Sequence, residues 1–186
     1  MKKKIKKNKN FNIISIGRLV EYKSFNTAIE AMNYLPSNFN LTIIGNGNLY
    51  DRLNNLIIEN KLKKRVKILR NINEIKKINL MKKSDLYLMC SNSRAESFGI
   101  SILEAISLGM PIVISHVRGS GMNDLVINNY NGLKFKINSP EDCSKKILKV
   151  SKSKKIIETF SKNSIRHFTK NFNNNLVFKN LNKIYD

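Results

Sequence analysis

The chain has 186 residues, 41% of them hydrophobic, and a formal net charge of +21. That length suits one α/β domain with a real core and is short for two, and the apolar fraction is that of a globular protein. No apolar run approaches the ~18 residues of a membrane-crossing helix, and the basic start, Met1 to Asn10, has no apolar stretch behind it, which excludes a secretory signal and leaves residues 1–10 as an expected disordered tail.

The charge surplus is mostly Lys, spread along the chain among abundant Asn and Ile. It reads as a compositional bias that leaves solvated lysines, with attraction to an anionic lipid or polyprenyl-phosphate surface as the second reading. Nucleic acid is not expected as a partner, because clustered Arg and interleaved aromatics are missing. Cys90 and Cys143 have no metal or redox spacing, so a reducing cytoplasm and no disulfide are expected.

In chain order, Phe11–Ile16 reads as the first strand. Gly17 to Lys23 is the turn after it, and Ser24–Leu35 is helical, closed by Pro36. Asn40–Ile44 is the second strand. The tight turn Gly45-Asn46-Gly47 follows it, and then a helix over Leu49–Ile58. That glycine pair lacks the third glycine and the acidic residue of a dinucleotide fingerprint, so no NAD is invoked. Arg65–Leu69 is the third strand, Arg70-Asn71 its loop, and Ile72–Lys82 an amphipathic helix. Asp85 is a structural turn or cap residue before the buried run Leu86–Cys90. Ser91 to Gly99 forms a loop, and a helix then runs to Gly109, with Ile100, Leu103, Ile106 and Leu108 on roughly one face. Ile112–Ser115 is the fifth strand. A loop with Gly119 and Gly121, a short helix and the turn Asn129–Gly132 lead into the last strand, ending at Phe135. Ser139 as N-cap with Pro140 at the first helical position opens a helical remainder, broken near Phe168–Phe172 and resumed over Asn173–Tyr185.

Strands alternating with helices, with the polar loops after the strands, predict a doubly wound parallel, Rossmann-like sheet of about six strands with helices on both faces. In such a sheet ligands bind at the carboxyl ends of the strands. There Glu96 lies in the loop and Glu104 in the helix behind it. Phe98, Gly99 and Ile100 would offer N–H groups at that helix's N-terminus, and Gly99 lets a ligand approach the backbone. A carboxylate accepts two neighbouring hydroxyls at once. The layout suits a ligand with an anionic centre and polyol groups on either side, as in a nucleotide sugar.

Glu96-Ser-Phe-Gly-Ile-Ser-Ile-Leu-Glu104 resembles the Glu-x7-Glu motif of retaining, GT-B-type glycosyltransferases of family 4 (group 1), and Ala105, Gly109, Pro111 and Val113 match its continuation. The resemblance runs from Phe11 to Tyr185 and implies the C-terminal, donor-binding half of a GT-B enzyme, with the N-terminal acceptor domain absent. By this resemblance Gly17, Arg18 and Lys23 correspond to the family's Gly-Arg…Lys element and grip the donor diphosphate. Glu96 would hold the donor sugar and Glu104 the ribose hydroxyls. Arg70 stands in the loop that meets the nucleobase, where the family usually has Gly, which puts base specificity in question. Gly119-Ser-Gly121 with Asp124 resembles a Gly-Gly-x-x-Glu-Ile segment; Gly121 is either a donor contact or part of a plain loop. The implied reaction transfers a hexosyl group from a UDP- or GDP-sugar to a hydroxyl acceptor with retention, in cell-surface polysaccharide or glycolipid synthesis. No cofactor and no metal are implied, since no Asp-x-Asp motif is visible. The chain would need an acceptor-domain partner in trans and would work in the cytoplasm, at the inner face of the membrane when the acceptor is lipid-linked. The alternative is a non-catalytic nucleotide-sugar-binding remnant or regulatory module of a split enzyme. His116 and His167 receive no catalytic role.

Overall fold

The computed structural model describes residues 10–172; the expected tail over residues 1–9 and the closing helix over residues 173–185 lie outside the described residues. Six parallel strands form one sheet: β1 (Phe11–Ile16), β2 (Phe39–Ile44), β3 (Val66–Leu69), β4 (Leu86–Met89), β5 (Ile112–Ser115) and β6 (Gly132–Phe135), in the order β3-β2-β1-β4-β5-β6. The connecting helices are α1 (Phe25–Ala31), α2 (Tyr50–Glu59), α3 (Glu74–Lys82), α4 (Ile100–Ser107), α5 (Met122–Leu125), α6 (Pro140–Ser151) and α7 (Lys154–Asn171).

The strands are apolar on both sides because both sides are covered. Phe11, Ile13, Leu41, Ile43, Leu86, Leu88, Val113 and Leu133 point to one face, where α1, α2 and α6 supply Ala28, Ile29, Leu53, Ile57 and Ile147. Ile14, Ile16, Tyr87, Met89, Ile112 and Ile114 point to the other, against Met81 of α3, Ile102, Ala105 and Ile106 of α4, and Met122 and Leu125 of α5. Alternate residues of one strand therefore belong to different cores, as the two-residue period of a strand requires. α7 spans both layers: Phe160 joins the first core, Phe168 and Phe172 the second.

The order reverses between β1 and β4. β1 and β2 pair along their whole length, from Phe11 with Phe39 to Ile16 with Ile44. β1 and β4 pair only at Ile13–Leu86 and Ile14–Tyr87. At the lower end Asp85 clamps this seam. Its N–H donates to the Asn12 carbonyl at 2.8 Å, and its carboxylate accepts the Asn12 N–H at 2.8 Å. Asp85 is thus structural, as expected. Above Ile14 the ladder stops and the strands part.

Four details differ from the expectations. Ser24 adopts a left-handed φ of 49°, so α1 starts at Phe25, and Met32–Tyr34 tightens into a 3-10 turn. α3 starts at Glu74, with the Asn73 side chain accepting the Lys76 N–H as N-cap. α4 buries Ile102, Ala105 and Ile106 instead of the Ile100, Leu103 and Leu108 face; Ile100 is 71% exposed. The helical remainder divides at Lys152-Ser153 into α6 and α7, and α7 ends at Asn171, inside the expected Phe168–Phe172 break. Ser139 caps α6, with Pro140 in its first turn, as expected.

Candidate active site

A cavity of about 430 Å³ opens where β1 and β4 part, lined by Ile16, Gly17, Lys23, Lys77, Ser101 and Glu104 together with the stretch Ala95–Ile100. This is the carboxyl end of the sheet at its topological switch point, the usual ligand position in open α/β folds. The loops after β1 and β4 and the helices α3 and α4 converge on it.

The floor is a charged pair. Lys23 follows β1 in the last residue of a 3-10 turn, and Glu96 lies in the β4–α4 loop. Lys23 is 8% exposed and Glu96 7%, and Lys23 Nζ donates to Glu96 Oε2. The same oxygen accepts a 2.9 Å bond from Ser91 Oγ. One ammonium and one hydroxyl on the same carboxylate oxygen offset the cost of keeping it out of water. Gly17 leaves space for this arrangement: a Cβ there would stand 3.2 Å from Lys23 Cε. Lys23 Nζ carries further protons and Glu96 a second oxygen, so the pair still has hydrogen-bonding capacity to offer a ligand.

The Glu96 backbone is fixed as well. Its carbonyl accepts the Ser120 hydroxyl, and Gly121 N–H donates to the next carbonyl, that of Ser97, at 2.8 Å. Gly121 does not line the cavity. A Cβ on it would come within 2.6 Å of the Ser97 carbonyl oxygen, so glycine is needed there to let the β5–α5 loop buttress the cavity wall. Gly99, which does line the cavity, starts α4 with a φ of 87°, a conformation that strains any residue with a Cβ. Ile100 and Ser101, which open α4, line the cavity, and their N–H groups have no acceptor within the helix. Phe98 and Ile100, both exposed, give it an apolar lip.

The outer wall is also charged. Glu104, midway along α4, receives a 3.0 Å bond from Lys77 Nζ of α3, and Lys77 pairs in turn with Glu74 at 2.7 Å. Burial pulls the Lys77 ammonium down, but the bonds to Glu74 and Glu104 outweigh it and raise it above its ordinary value. Beneath the wall, the buried Tyr87 hydroxyl lies 2.7 Å from Ser101 Oγ and donates to it. Burial pushes this phenol far up, so it stays protonated.

The structure therefore brings Gly17, Lys23, Glu96, Phe98, Gly99, Ile100 and Glu104 to one cavity. Arg18 directly follows the lining residue Gly17 but is exposed, its guanidinium donating to the Tyr22 hydroxyl at 3.2 Å. Arg70 lies over the Tyr50 ring, 4.5 Å from its centre, and does not line the cavity. The Gly45–Gly47 turn serves the protein's own backbone: a Cβ at Gly45 would meet the Gly17 carbonyl oxygen at 1.9 Å, and Leu19 N–H bonds the Asn46 carbonyl at 2.8 Å. His116 is exposed outside the lining, and His167 contacts the Asp124 carbonyl far from it. Ser91, Ser120 and Lys77 carry parts that the sequence reading did not assign. The Glu74–Lys77 spacing of i,i+3 was a legible ion pair, but its approach to Glu104 depends on how α3 packs beside α4. Among the described residues no cluster of three or more His, Cys, Asp or Glu could hold a metal ion, and no helix is long and apolar enough to cross a membrane.

Comparison with known proteins agrees with this architecture. The family model described as Glycosyl transferases group 1 matches residues 1–167. The chain is 31% identical over 187 residues to the UDP-Gal:alpha-D-GlcNAc-diphosphoundecaprenol alpha-1,3-galactosyltransferase of Escherichia coli, covering 97% of this chain and 46% of that protein. The chain spans about half the length of the curated relatives it matches. The Anabaena protein HepE, solved in complex with UDP and glucose, superposes with a TM-score of 0.82 at 22% identity, over 94% of this chain and 48% of that one. The C-terminal domain of a glycosyl transferase group 1 family protein (LpcC) from Francisella tularensis superposes with a TM-score of 0.76 at 17% identity, over 88% of this chain and 87% of that domain. At these identities the structural likenesses establish the shared fold.

Proposed function

The chain belongs to the glycosyl transferases group 1, and on that premise we propose that it is the C-terminal, donor-binding half of a retaining GT-B-type glycosyltransferase of family 4. It takes a hexosyl group from a UDP- or GDP-sugar and delivers it to an acceptor hydroxyl. The observation that carries this reading is the single cavity at the β1/β4 switch point, where the buried Lys23–Glu96 pair forms the floor and Glu104 the outer wall. An anionic diphosphate fits between the Lys23 ammonium, the free N–H groups of α4 and, from the rim, the Arg18 guanidinium. Glu104 accepts the ribose hydroxyls on one side and Glu96 those of the hexose on the other.

In the reaction the bond between the anomeric carbon and the diphosphate oxygen breaks, and its electron pair stays on the leaving nucleoside diphosphate. A bond to the acceptor oxygen forms on the same face, and the acceptor proton leaves on the departing phosphate. Lys23 and Arg18 offset the charge that builds on the leaving group; charge stabilisation held in place beforehand is a large contribution in such sites. No resident cofactor takes part. The acceptor-binding half comes from a further domain or a partner chain, and a lipid-linked acceptor at an anionic membrane surface agrees with the chain's +21 charge.

Calorimetric titration of the chain with UDP and GDP tests the reading. One of the two nucleotides binds, and Glu104→Ala combined with Arg18→Ala abolishes binding. Undiminished affinity in the double variant refutes the site.

A further inference from the structure

We infer that Lys77 is a positioning residue for Glu104, and that it gives the site its preference for a ribonucleotide over a deoxyribonucleotide donor; the inference rests on the nucleotide-sugar reading above. Lys77 sits in the first turn of α3, a place fixed by the Asn73 cap, and its side chain is 13% exposed. It lines the cavity, yet both bonds recorded for its ammonium go to carboxylates: Glu74 of its own helix at 2.7 Å and Glu104 of α4 at 3.0 Å.

The arrangement is a chain of charges with a free end on each side. Glu74, at 77% exposed, anchors Lys77 from the solvent side, and Lys77 holds Glu104 by one oxygen, Oε1. Glu104 is 38% exposed, and among the described residues its carboxylate takes no other hydrogen bond in the structure. A glutamate on a helix surface samples several rotamers, and ordering such a side chain on binding costs conformational entropy. Tying one oxygen to a lysine that is itself tied removes much of that freedom before any ligand arrives. Oε2 and the remaining lone pair of Oε1 are then left to accept from the cavity. Two adjacent hydroxyls on a ring make the matching donor pair; one hydroxyl satisfies the carboxylate only by half. Lys77 itself need not touch the nucleotide.

This separates Lys77 from a lysine that simply adds positive charge to the cavity. A bulk charge would raise affinity for every nucleoside diphosphate alike. A positioning lysine acts through Glu104 and changes the ratio between nucleotides that differ in one hydroxyl.

The experiment is titration of the full chain with UDP and 2′-deoxy-UDP, and with GDP and 2′-deoxy-GDP, in the wild type and the Lys77→Met, Lys77→Arg and Glu104→Gln variants. The wild type favours the ribonucleotide about tenfold, as expected for a hydrogen bond to a charged acceptor. Lys77→Met reduces the ratio to about two- to threefold, close to that of Glu104→Gln, and Lys77→Arg, which can still hold Oε1, restores most of it. A Lys77→Met variant with the wild-type ratio overturns the assignment, even if its affinity for both nucleotides falls equally. A Lys77→Arg variant as poor as Lys77→Met also overturns it. Absence of binding by the wild type to either ribonucleotide overturns the nucleotide reading itself, so the two failures are told apart by the unsubstituted chain alone.

Discussion

Replacing Glu96 with Gln removes a charge and almost no volume, which makes it a sharp probe of the cavity floor. Lys23, 8% exposed, would keep its ammonium among groups that no longer balance it. Breaking a buried ion pair by deleting one partner costs about 3–5 kcal/mol, because the surviving charge stays out of water. The Ser91 hydroxyl keeps an acceptor in the new amide, so the low end, about 3 kcal/mol, is expected. Lys23→Met makes the mirror change, leaving a carboxylate with only Ser91 as donor, at a similar cost. The double variant leaves no charge to strand, so its loss should fall to about 1 kcal/mol, below either single change. Urea unfolding followed by circular dichroism measures all three. With a denaturant slope of about 2 kcal/mol per molar, each single variant moves the midpoint down by about 1.5 M and the double by about 0.5 M. Single variants within about 0.5 kcal/mol of the wild type, or a double whose cost equals their sum, would refute the buried-pair argument.

Gly45→Ala places a Cβ against the Gly17 carbonyl and should cost at least about 3 kcal/mol in the same assay; a loss under about 1 kcal/mol contradicts the close approach of the two turns. Lys77 is lowered by burial but raised further by its bonds to Glu74 and Glu104, so its native value lies above the ordinary 10.5. Its stabilisation is therefore complete below 10.5 and lost as the pH climbs through the raised value, and the gap in urea midpoint between wild type and Lys77→Met should be flat below 10.5 and close above it. Burial, reinforced by the neighbouring Cys90 thiol, pushes the Cys143 thiol up, and both cysteines are shut from solvent. A thiol-reactive disulfide reagent should label neither in the native chain and both in denaturant; rapid native labelling would show that the contact between Cys143 of α6 and Cys90, just past β4, opens.

The strands were legible because each is a short apolar run closed by a turn signal, and a run buried on both faces leaves little room for misreading. The carboxylate pair was legible too, since Glu96 and Glu104 sit at fixed offsets from the Gly99 that starts α4. What failed was phase and company. The apolar residues of α4 fit more than one helical face, and only its packing against α7, α5, β4 and β5 decides that Ile102 and Ala105 are covered while Ile100 is not. Ser24 gave no local sign of its left-handed backbone, which is held by Ser24 Oγ meeting Thr27 at 2.9 Å and by the packing of the β1 turn. Phe168 and Phe172 looked like a helix break, and α7 does end at Asn171 inside that stretch, with both rings packed against the second core. Lys77 was one lysine among many until α3 was laid beside α4. Arg18 and Arg70 were named by their places in the loops after β1 and β3, and such a place does not fix where a long, solvated side chain points.

The partial zipping of β1 against β4 has a consequence for how this pocket can change. The opening exists because two neighbouring strands stay joined for only two residue pairs above the Asp85 clamp and then diverge. It belongs to the path of the main chain, and no lining side chain creates it. Ligand preference can thus drift through substitutions at the rim, one position at a time, while the hollow itself persists. To abolish the hollow, mutation would have to lengthen the seam.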